Sequence, residues 1–101
     1  MSSSSSESWT FLTNHAQVLL CLARDPDVRL RDVAESVGIT ERATQRILSD
    51  LVDAGYVQRT RVGRRNRYTV DRAHAMRHAA QNGHEVGALI DVLADDGPDA
   101  A

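Results

Sequence analysis

Three stretches in the first half of the chain repeat inward-facing residues every three or four positions, which is the spacing of a helix with one buried face. These residues are Val18, Leu19, Leu22 and Ala23, then Leu30, Val33, Ala34 and Val37, then Thr44, Ile47, Leu48 and Leu51. Asn14 is the predicted N-cap of the first helix, which Pro26 stops. Gly38 ends the second helix, and Thr40 caps the third, which Gly55 closes.

From Tyr56 onward the pattern changes to an alternation of period two. Two β-rich runs, residues 56–62 and 67–70, flank the turn-forming segment Gly63–Asn66. Short runs of this kind around a turn rich in Gly and Asn are typical of a β-hairpin. The sequence therefore predicts a hairpin directly after the third helix.

The remaining residues predict one more element. Residues 74–81 fit neither period, and Asn82-Gly83 marks a break. Residues 84–94 are predicted to form a helix with the apolar stripe Val86, Leu89, Ile90 and Leu93. Taken together, the elements predict a mainly α (α+β) fold, namely a winged helix-turn-helix with a two-stranded wing and a short C-terminal helix.

Charge is distributed unevenly along the chain. The 101 residues carry a formal net charge of −2, and all 12 basic residues are arginine. Residues 57–72 nevertheless hold six arginines against Asp71, a local charge of +5. Such a concentrated positive surface is typical of phosphate binding, and guanidinium groups suit both phosphate and guanine edges. The acidic average therefore does not exclude a nucleic acid as partner.

The order of the elements indicates which residues would contact DNA. A connection as short as residues 38–40 makes two helices cross steeply, so the outer face of the third helix protrudes and fits the major groove. There Arg pairs with guanine and Gln with adenine. The predicted base contacts are Arg42, Gln45 and Arg46, and the predicted phosphate contacts are Thr40 and Ser49. The wing is predicted to reach the backbone or a narrow minor groove through Arg61, Arg64, Arg65, Asn66 and Arg67.

The stretch LRDVAESVGITERATQRILSDLVDAGYVQRTRVGRRNRYTV resembles the winged-helix domain of MarR-type bacterial transcription regulators. The resemblance spans residues 13–71, and the matching core and turn residues are Ala34, Gly38, Ile39, Leu48, Leu51, Ala54, Gly55 and Val57. It implies double-stranded DNA as partner and a homodimer on a pseudopalindromic site. Its implied DNA contacts are Arg42, Ala43, Gln45, Arg46 and the wing around Arg64, Arg65 and Arg67. MarR-type proteins usually dimerise through long terminal helices, which are short in this chain.

The predicted domain boundaries follow from these elements. We expect a disordered serine-rich tail at residues 1–8, a winged helix-turn-helix DNA-binding domain at 9–72, a C-terminal segment with a dimerisation helix at 73–94, and a disordered acidic tail at 95–101. The chain lacks an apolar run of about eighteen residues, and its N-terminus lacks the pattern of a secretory signal. A cytoplasmic location is therefore expected.

Two ends of the chain are candidates for a dimer interface. The stripe of the last helix must be buried somewhere, and Trp9, Phe11 and Leu12 add apolar area at the other end. We expect the two ends to meet in a two-fold interface that sets the recognition helices about 34 Å apart. The alternative is that the stripe folds back on its own domain and the chain is a monomer.

Other functions receive less support from the residues. Some winged helices bind proteins instead of DNA, which makes a protein-interaction module the leading alternative. His74, His78 and His84 could belong to a metal-sensing regulator, but no thiolate pair or carboxylate stands at ligand spacing. Cys21 lies in an apolar helix without a nearby histidine, so it is predicted to be a small core residue and not a nucleophile. We expect no enzymatic activity, no cofactor and no metal, and the sequence names no small-molecule effector.

Overall fold

The computed structural model describes residues 9–81 and 83–94 of the chain. Its elements are α1 (Asn14–Arg24), α2 (Leu30–Val37), α3 (Glu41–Asp53), β1 (Val57–Val62), β2 (Arg65–Val70), a 3₁₀ turn (Ala79–Gln81) and α4 (Val86–Leu93). Three helices, a two-stranded antiparallel sheet and a short last helix confirm the predicted winged helix-turn-helix. The tails predicted to be disordered, 1–8 and 95–101, lie outside the described residues, as does Asn82. None of the described helices is long and apolar enough to cross a membrane.

The helix starts follow local capping signals, with one difference from the prediction. Thr40 caps α3 as expected, because its side-chain oxygen accepts a hydrogen bond from the Ala43 amide at 3.0 Å. The cap of α1 is Thr13, so the prediction of Asn14 was wrong by one position. The Thr13 hydroxyl accepts a hydrogen bond from the Ala16 amide at 3.2 Å. Threonine and asparagine both cap helices well, so two adjacent candidates leave the start of α1 ambiguous from sequence.

One hydrophobic core joins α1, α2 and α3, and the hairpin and α4 complete it. Its buried side chains are Val18, Leu19, Leu20, Leu22, Val33, Ile47, Leu48, Leu51, Tyr56, Val57, Tyr68, Val86, Ile90 and Ala94. Ile47, Leu48 and Leu51 are at most 7% exposed, which confirms the predicted inward stripe of α3. Thr44 joins them, and its hydroxyl donates to the carbonyl of Thr40 at 2.9 Å. Because one side of α3 is buried in this way, its opposite side faces solvent.

α4 packs against this core and is not left free for a second subunit. Val86 and Ile90 are only 4% and 2% exposed, so the expectation that a partner covers them was wrong. Gly87 allows the close approach: its amide donates to the carbonyl of Arg72 at 2.8 Å, and a Cβ there would lie 2.6 Å from the same oxygen. Leu93, at the far end of the stripe, remains 40% exposed.

The hairpin is tighter than predicted. Val62 pairs with Arg65, so the turn consists of Gly63 and Arg64 and not of the four residues 63–66. Gly63 has a φ of 63°, a positive value of the kind that two-residue hairpin turns require. The next residue after Arg65, Asn66, is consequently a strand residue, and neighbouring strand residues point to opposite faces of the sheet.

The segment that fits neither period connects the hairpin to α4. Ala75 forms an isolated bridge with Glu85, and the 3₁₀ turn follows. The hydroxyl of Tyr56 donates to the carbonyl of Ala75 at 2.7 Å, which holds the segment against the end of α3. His74 and His78 precede the turn in non-helical backbone, so they do not share a helix face.

Candidate nucleic-acid interface

The corner between α2 and α3 fixes the direction of the helix that protrudes. Gly38 ends α2 in the left-handed conformation with a φ of 87°, which glycine adopts without strain. Its amide donates to the carbonyl of Ala34 at 2.8 Å, and the amide of Ile39 donates to the same oxygen at 3.0 Å. Thr40 then caps α3 directly. With only these residues between the helices, α3 cannot change its direction without breaking the corner.

The solvent face of α3 carries the predicted base contacts. Arg42, Gln45, Arg46 and Ser49 are all exposed and stand at positions i, i+3, i+4 and i+7, which share one side of a helix. Within the described residues, no hydrogen bond or ion pair holds Arg42, Gln45 or Arg46 to another part of the chain. Ala43 is half-buried at the edge of this face, and Thr40 is exposed at its start. The structure therefore brings the predicted recognition residues together, and among the described residues the side chains of Arg42, Gln45 and Arg46 have no partner.

The acidic residues of α3 lie mostly in its second half. Asp50 points toward α1, where its carboxylate oxygen lies 2.8 Å from Nε2 of His15. Asp53 is exposed at the end of the helix. Because helix-turn-helix proteins contact bases with the N-terminal residues of the recognition helix, these carboxylates lie beyond the part that would enter the groove.

The hairpin presents arginines on both of its faces. Arg61 lies opposite Asn66 and therefore shares a face with it, while Arg65 and Arg67 share the other face. Arg64 stands at the turn, and the side chain of Arg61 donates to the carbonyl of Gly63 at 3.1 Å. These residues were predicted to act together because they are close in the chain. The strand register places Arg61 and Asn66 on one face of the hairpin and Arg65 and Arg67 on the other.

Two wing arginines contact the linker between α1 and α2, which the sequence did not predict. The guanidinium of Arg65 donates to the carbonyl of Asp27 at 2.6 Å. The guanidinium of Arg67 lies 3.3 Å from each carboxylate oxygen of the same aspartate. Beside them, the amide of Tyr68 donates to the carbonyl of Pro26 at 2.9 Å. Residues 26 and 27 thus cover the outer edge of β2.

The number of arginines without an acidic partner is consequently smaller than the number that the sequence places in residues 57–72. Of the six arginines in residues 57–72, Arg67 pairs with Asp27, and Arg72 pairs with Asp91 of α4. The other four have no acidic partner within residues 9–81 and 83–94; they are Arg59, Arg61, Arg64 and Arg65. Arg59 was not among the predicted contacts, although it alternates with Arg61 on the same face of β1.

The candidate metal ligands do not come together. His78 accepts a hydrogen bond at Nδ1 from the Ala80 amide at 2.9 Å. The ring of His74 packs edge-on against Tyr56 with centroids 4.4 Å apart. Among the described residues, no group of three or more His, Cys, Asp or Glu side chains could hold a metal ion.

Cys21 is half-buried and packs against the core, as predicted from its place in α1. Burial raises the pKa of its thiol, and this effect outweighs the lowering by the nearby Arg24. Since the thiolate is the reactive form of cysteine, a raised pKa disfavours nucleophilic chemistry at this position.

A groove of about 360 Å³ lies between α1, the end of α3 and α4. Its lining is mainly apolar and includes Leu19, Leu51, Ala54, Tyr56, Met76, Val86 and Leu89. The polar groups along it come from Thr13, His15, Asp50 and Arg77. An apolar lining with a few polar groups suits an apolar ligand or a side chain from another molecule.

Comparison with known protein families identifies one family whose model matches this chain. The model of the MarR family matches residues 10–67, which is more than half of the 101-residue chain. The chain belongs to the MarR family. Members of the MarR family are DNA-binding transcription regulators and are typically not enzymes, and the match supports the same role here. Among curated proteins, none matches the chain.

The MarR match covers only some of the elements of the structure. It includes all of α1, α2 and α3 and most of the hairpin, and it ends at Arg67. The segment after β2 and α4 lie beyond it. The match therefore covers the helix-turn-helix and most of the wing of this MarR protein and does not extend to α4.

Proposed function

We propose that the chain is a transcription regulator that binds specific sequences of double-stranded DNA as a homodimer. The observation that carries this proposal is the exposed face of α3, where Arg42, Gln45 and Arg46 have no partner among the described residues. Unpaired guanidinium and amide groups on a protruding helix match the donors and acceptors of base edges in the major groove. A regulator of this kind acts on the chromosome, and we place it in the cytoplasm of a bacterium.

Each part of α3 has its own role in this proposal. Arg42 and Arg46 would bind the O6 and N7 atoms of guanine, and Gln45 would bind adenine. Ala43, at the edge of the face, would contact a thymine methyl group. Thr40 and Ser49 carry hydroxyl groups at the two ends of the face and would donate to phosphates. The N-terminal half of α3 thus reads the sequence while its flanks set the register.

The wing would contribute affinity more than specificity. Arg64 at the turn and Arg61 on β1 are both exposed. Arg65, Asn66 and Arg67 lie on β2 and would contact the backbone or the adjacent minor groove. Contacts to phosphates carry no direct sequence information, so the wing would strengthen binding to any duplex.

Replacing both Arg64 and Arg65 by alanine tests the wing. If each arginine neutralises one phosphate, the slope of log K against log salt should become shallower by about 0.9 for each, or about 1.8 per subunit and about 3.6 for the homodimer. Binding to cognate and to random-sequence duplexes should weaken together. A salt titration measured by fluorescence anisotropy on both duplexes checks this, with Arg77→Ala as a control for loss of charge outside the interface. An unchanged slope in the double variant would exclude the wing from the DNA.

The homodimer is supported by apolar side chains that remain exposed at both ends of the described chain. Trp9 and Phe11 are 70% and 92% exposed, and their rings pack edge to face with centroids 5.2 Å apart. Val92 and Leu93 are 76% and 40% exposed on α4. Exposed apolar groups of this size favour an interface.

These two apolar groups do not meet within one chain. The side chain of Arg24, the last residue of α1, donates to the carbonyl of Leu93 at 3.1 Å, whereas Phe11 precedes the first residue of α1. The 11 residues of α1 separate the groups by about 16 Å at 1.5 Å per residue. A two-fold axis would bring the aromatic pair of one subunit to the α4 end of its partner, and the reverse.

Charged substitutions at the two apolar groups should therefore dissociate the dimer. We expect Phe11→Asp and Leu93→Asp each to halve the mass in sedimentation at micromolar concentration, because each places a carboxylate in the same isologous interface. Val62→Asp provides the control, since Val62 is 53% exposed on the hairpin and outside the proposed interface. A wild-type chain that sediments as a monomer would contradict the homodimer.

Selection of binding sites from a random duplex pool tests the function as a whole. A sequence-specific dimer should enrich a pseudopalindrome whose half-sites are about one helical turn apart. A monomer that reads DNA should enrich a single half-site. A pool that shows no enrichment after repeated rounds would favour a winged helix that binds proteins.

A further inference from the structure

The outer edge of β2 contacts residues 26 and 27, and DNA would compete with these residues for the wing arginines. Residues 26 and 27 run beside β2, where Tyr68 binds the carbonyl of Pro26 and Arg65 binds the carbonyl of Asp27. The carboxylate of Asp27 takes the guanidinium of Arg67, with both oxygens 3.3 Å from its nitrogens. Two of these contacts use backbone oxygens and the third uses a charge.

The contacts that hold the wing in position therefore differ from the contact that neutralises its charge. The carbonyl contacts of Pro26 and Asp27 hold β2 in place and do not need the carboxylate. The ion pair is about half exposed on both sides, 52% for Arg67 and 56% for Asp27, and an exposed pair contributes little to folding stability. The carboxylate therefore acts mainly on the charge of Arg67 and not on the fold.

A carboxylate that faces a wing arginine resembles a phosphate in charge and in geometry. Arg binds carboxylates and phosphates through the same fork of N–H groups. A DNA phosphate that recruits Arg67 must displace the Asp27 carboxylate and leave it without its cationic partner beside the duplex. While Arg67 stays paired with Asp27, it neutralises no phosphate and releases no counterion from the DNA.

We propose that Asp27 is an internal competitor for DNA phosphate that holds Arg67 in the free protein and weakens binding to every duplex. The inference rests on the proposed DNA-binding function. Within it, Asp27 is a positioning residue: it acts on DNA through Arg67. It limits the non-specific affinity of the wing and leaves discrimination between sequences to α3.

The variant Asp27→Asn isolates this effect, because asparagine keeps the shape of the side chain and the backbone contacts. Binding of the full chain to a random-sequence duplex should tighten about fivefold at physiological salt for each subunit bound, the contribution of one added phosphate contact. The slope of log K against log salt, measured between about 50 and 200 mM, should steepen by about 0.9 per subunit, or about 1.8 for the homodimer. Glu35→Gln is the control, since it removes one exposed negative charge from α2 without contacting a wing arginine.

A double-variant cycle shows whether the effect passes through Arg67. In the Arg67→Ala background, Asp27→Asn should give no more tightening than Glu35→Gln. Thermal unfolding of each variant confirms that the fold is kept. If the wild type binds duplexes but Asp27→Asn changes neither affinity nor slope beyond the control, or weakens binding, Asp27 is not a competitor. If no variant, including the wild type, binds duplex DNA with a salt-dependent affinity, the proposed function itself fails.

Discussion

Replacing Arg46 by alanine should cost about 1–3 kcal/mol of binding free energy for each half-site of a cognate duplex, a loss of about fivefold to 150-fold in affinity per half-site. Arg46 is exposed on the same side of α3 as Arg42 and Gln45, opposite the buried Ile47. Its guanidinium has no partner in the described part of the chain, so binding a guanine edge requires no intramolecular contact to be broken. The cost should fall on one base position of each half-site.

Binding to random-sequence DNA separates base contacts from backbone contacts. A residue that reads a base should leave non-specific binding of the Arg46→Ala variant nearly unchanged, whereas a phosphate contact contributes equally on every duplex. Arg77→Ala, in the segment before α4, removes an exposed arginine outside the interface and should change neither affinity. Equal losses on cognate and random duplexes would assign Arg46 to the backbone and leave Gln45 and Arg42 as the candidates for base contact.

Much of the recognition unit was predictable because its signals are local. Thr40 begins α3 through a hydrogen bond to an amide three residues away, and Gly38 ends α2 by adopting a positive φ. Local signals fail where two neighbours are equally suitable, as with Thr13 and Asn14 at the start of α1. They also misjudged the hairpin turn, since Arg65 and Asn66 have turn-like neighbours but pair as strand residues.

The contacts of the wing were not predictable because they depend on distant residues. Arg65 and Arg67 meet Asp27 across 38 and 40 positions of the chain. A run of arginines indicates a positive surface, but it does not show which of them already has an acidic neighbour in the fold. The exposed face of α3 was predictable for the opposite reason, since Ile47, Leu48 and Leu51 determine by periodicity which side is buried.

The apolar stripe of α4 shows a further limit. Periodicity identified Val86 and Ile90 as residues that must be buried, and the structure buries both. It could not indicate whether their own domain or a second subunit covers them. Gly87 was a signal of this packing, because a glycine inside a helical pattern can have a packing reason, here the close approach of the Arg72 carbonyl.

Because Ile90 belongs to the core of its own chain, Ile90→Ala should lower the free energy of unfolding by about 2–5 kcal/mol. Ile90 is 2% exposed and packs at the centre of α4, an element of 8 residues. A helix this short has little stability of its own in water and depends on packing. The lost stability should therefore appear first as detachment of α4 from the core. The measured loss then cannot exceed the free energy with which α4 docks.

Hydrogen exchange distinguishes detachment of α4 from global unfolding. In Ile90→Ala the amide of Ala94, which donates to the carbonyl of Ile90, should exchange much faster, while amides of α3 keep most of their protection. Val62→Ala is the control: Val62 is 53% exposed on the hairpin and outside the proposed dimer interface, so its loss should change stability by less than about 0.5 kcal/mol. If Ile90→Ala is no more destabilising than Val62→Ala, α4 does not dock on the core. The whole stripe, and not only Leu93, would then be available to a second subunit.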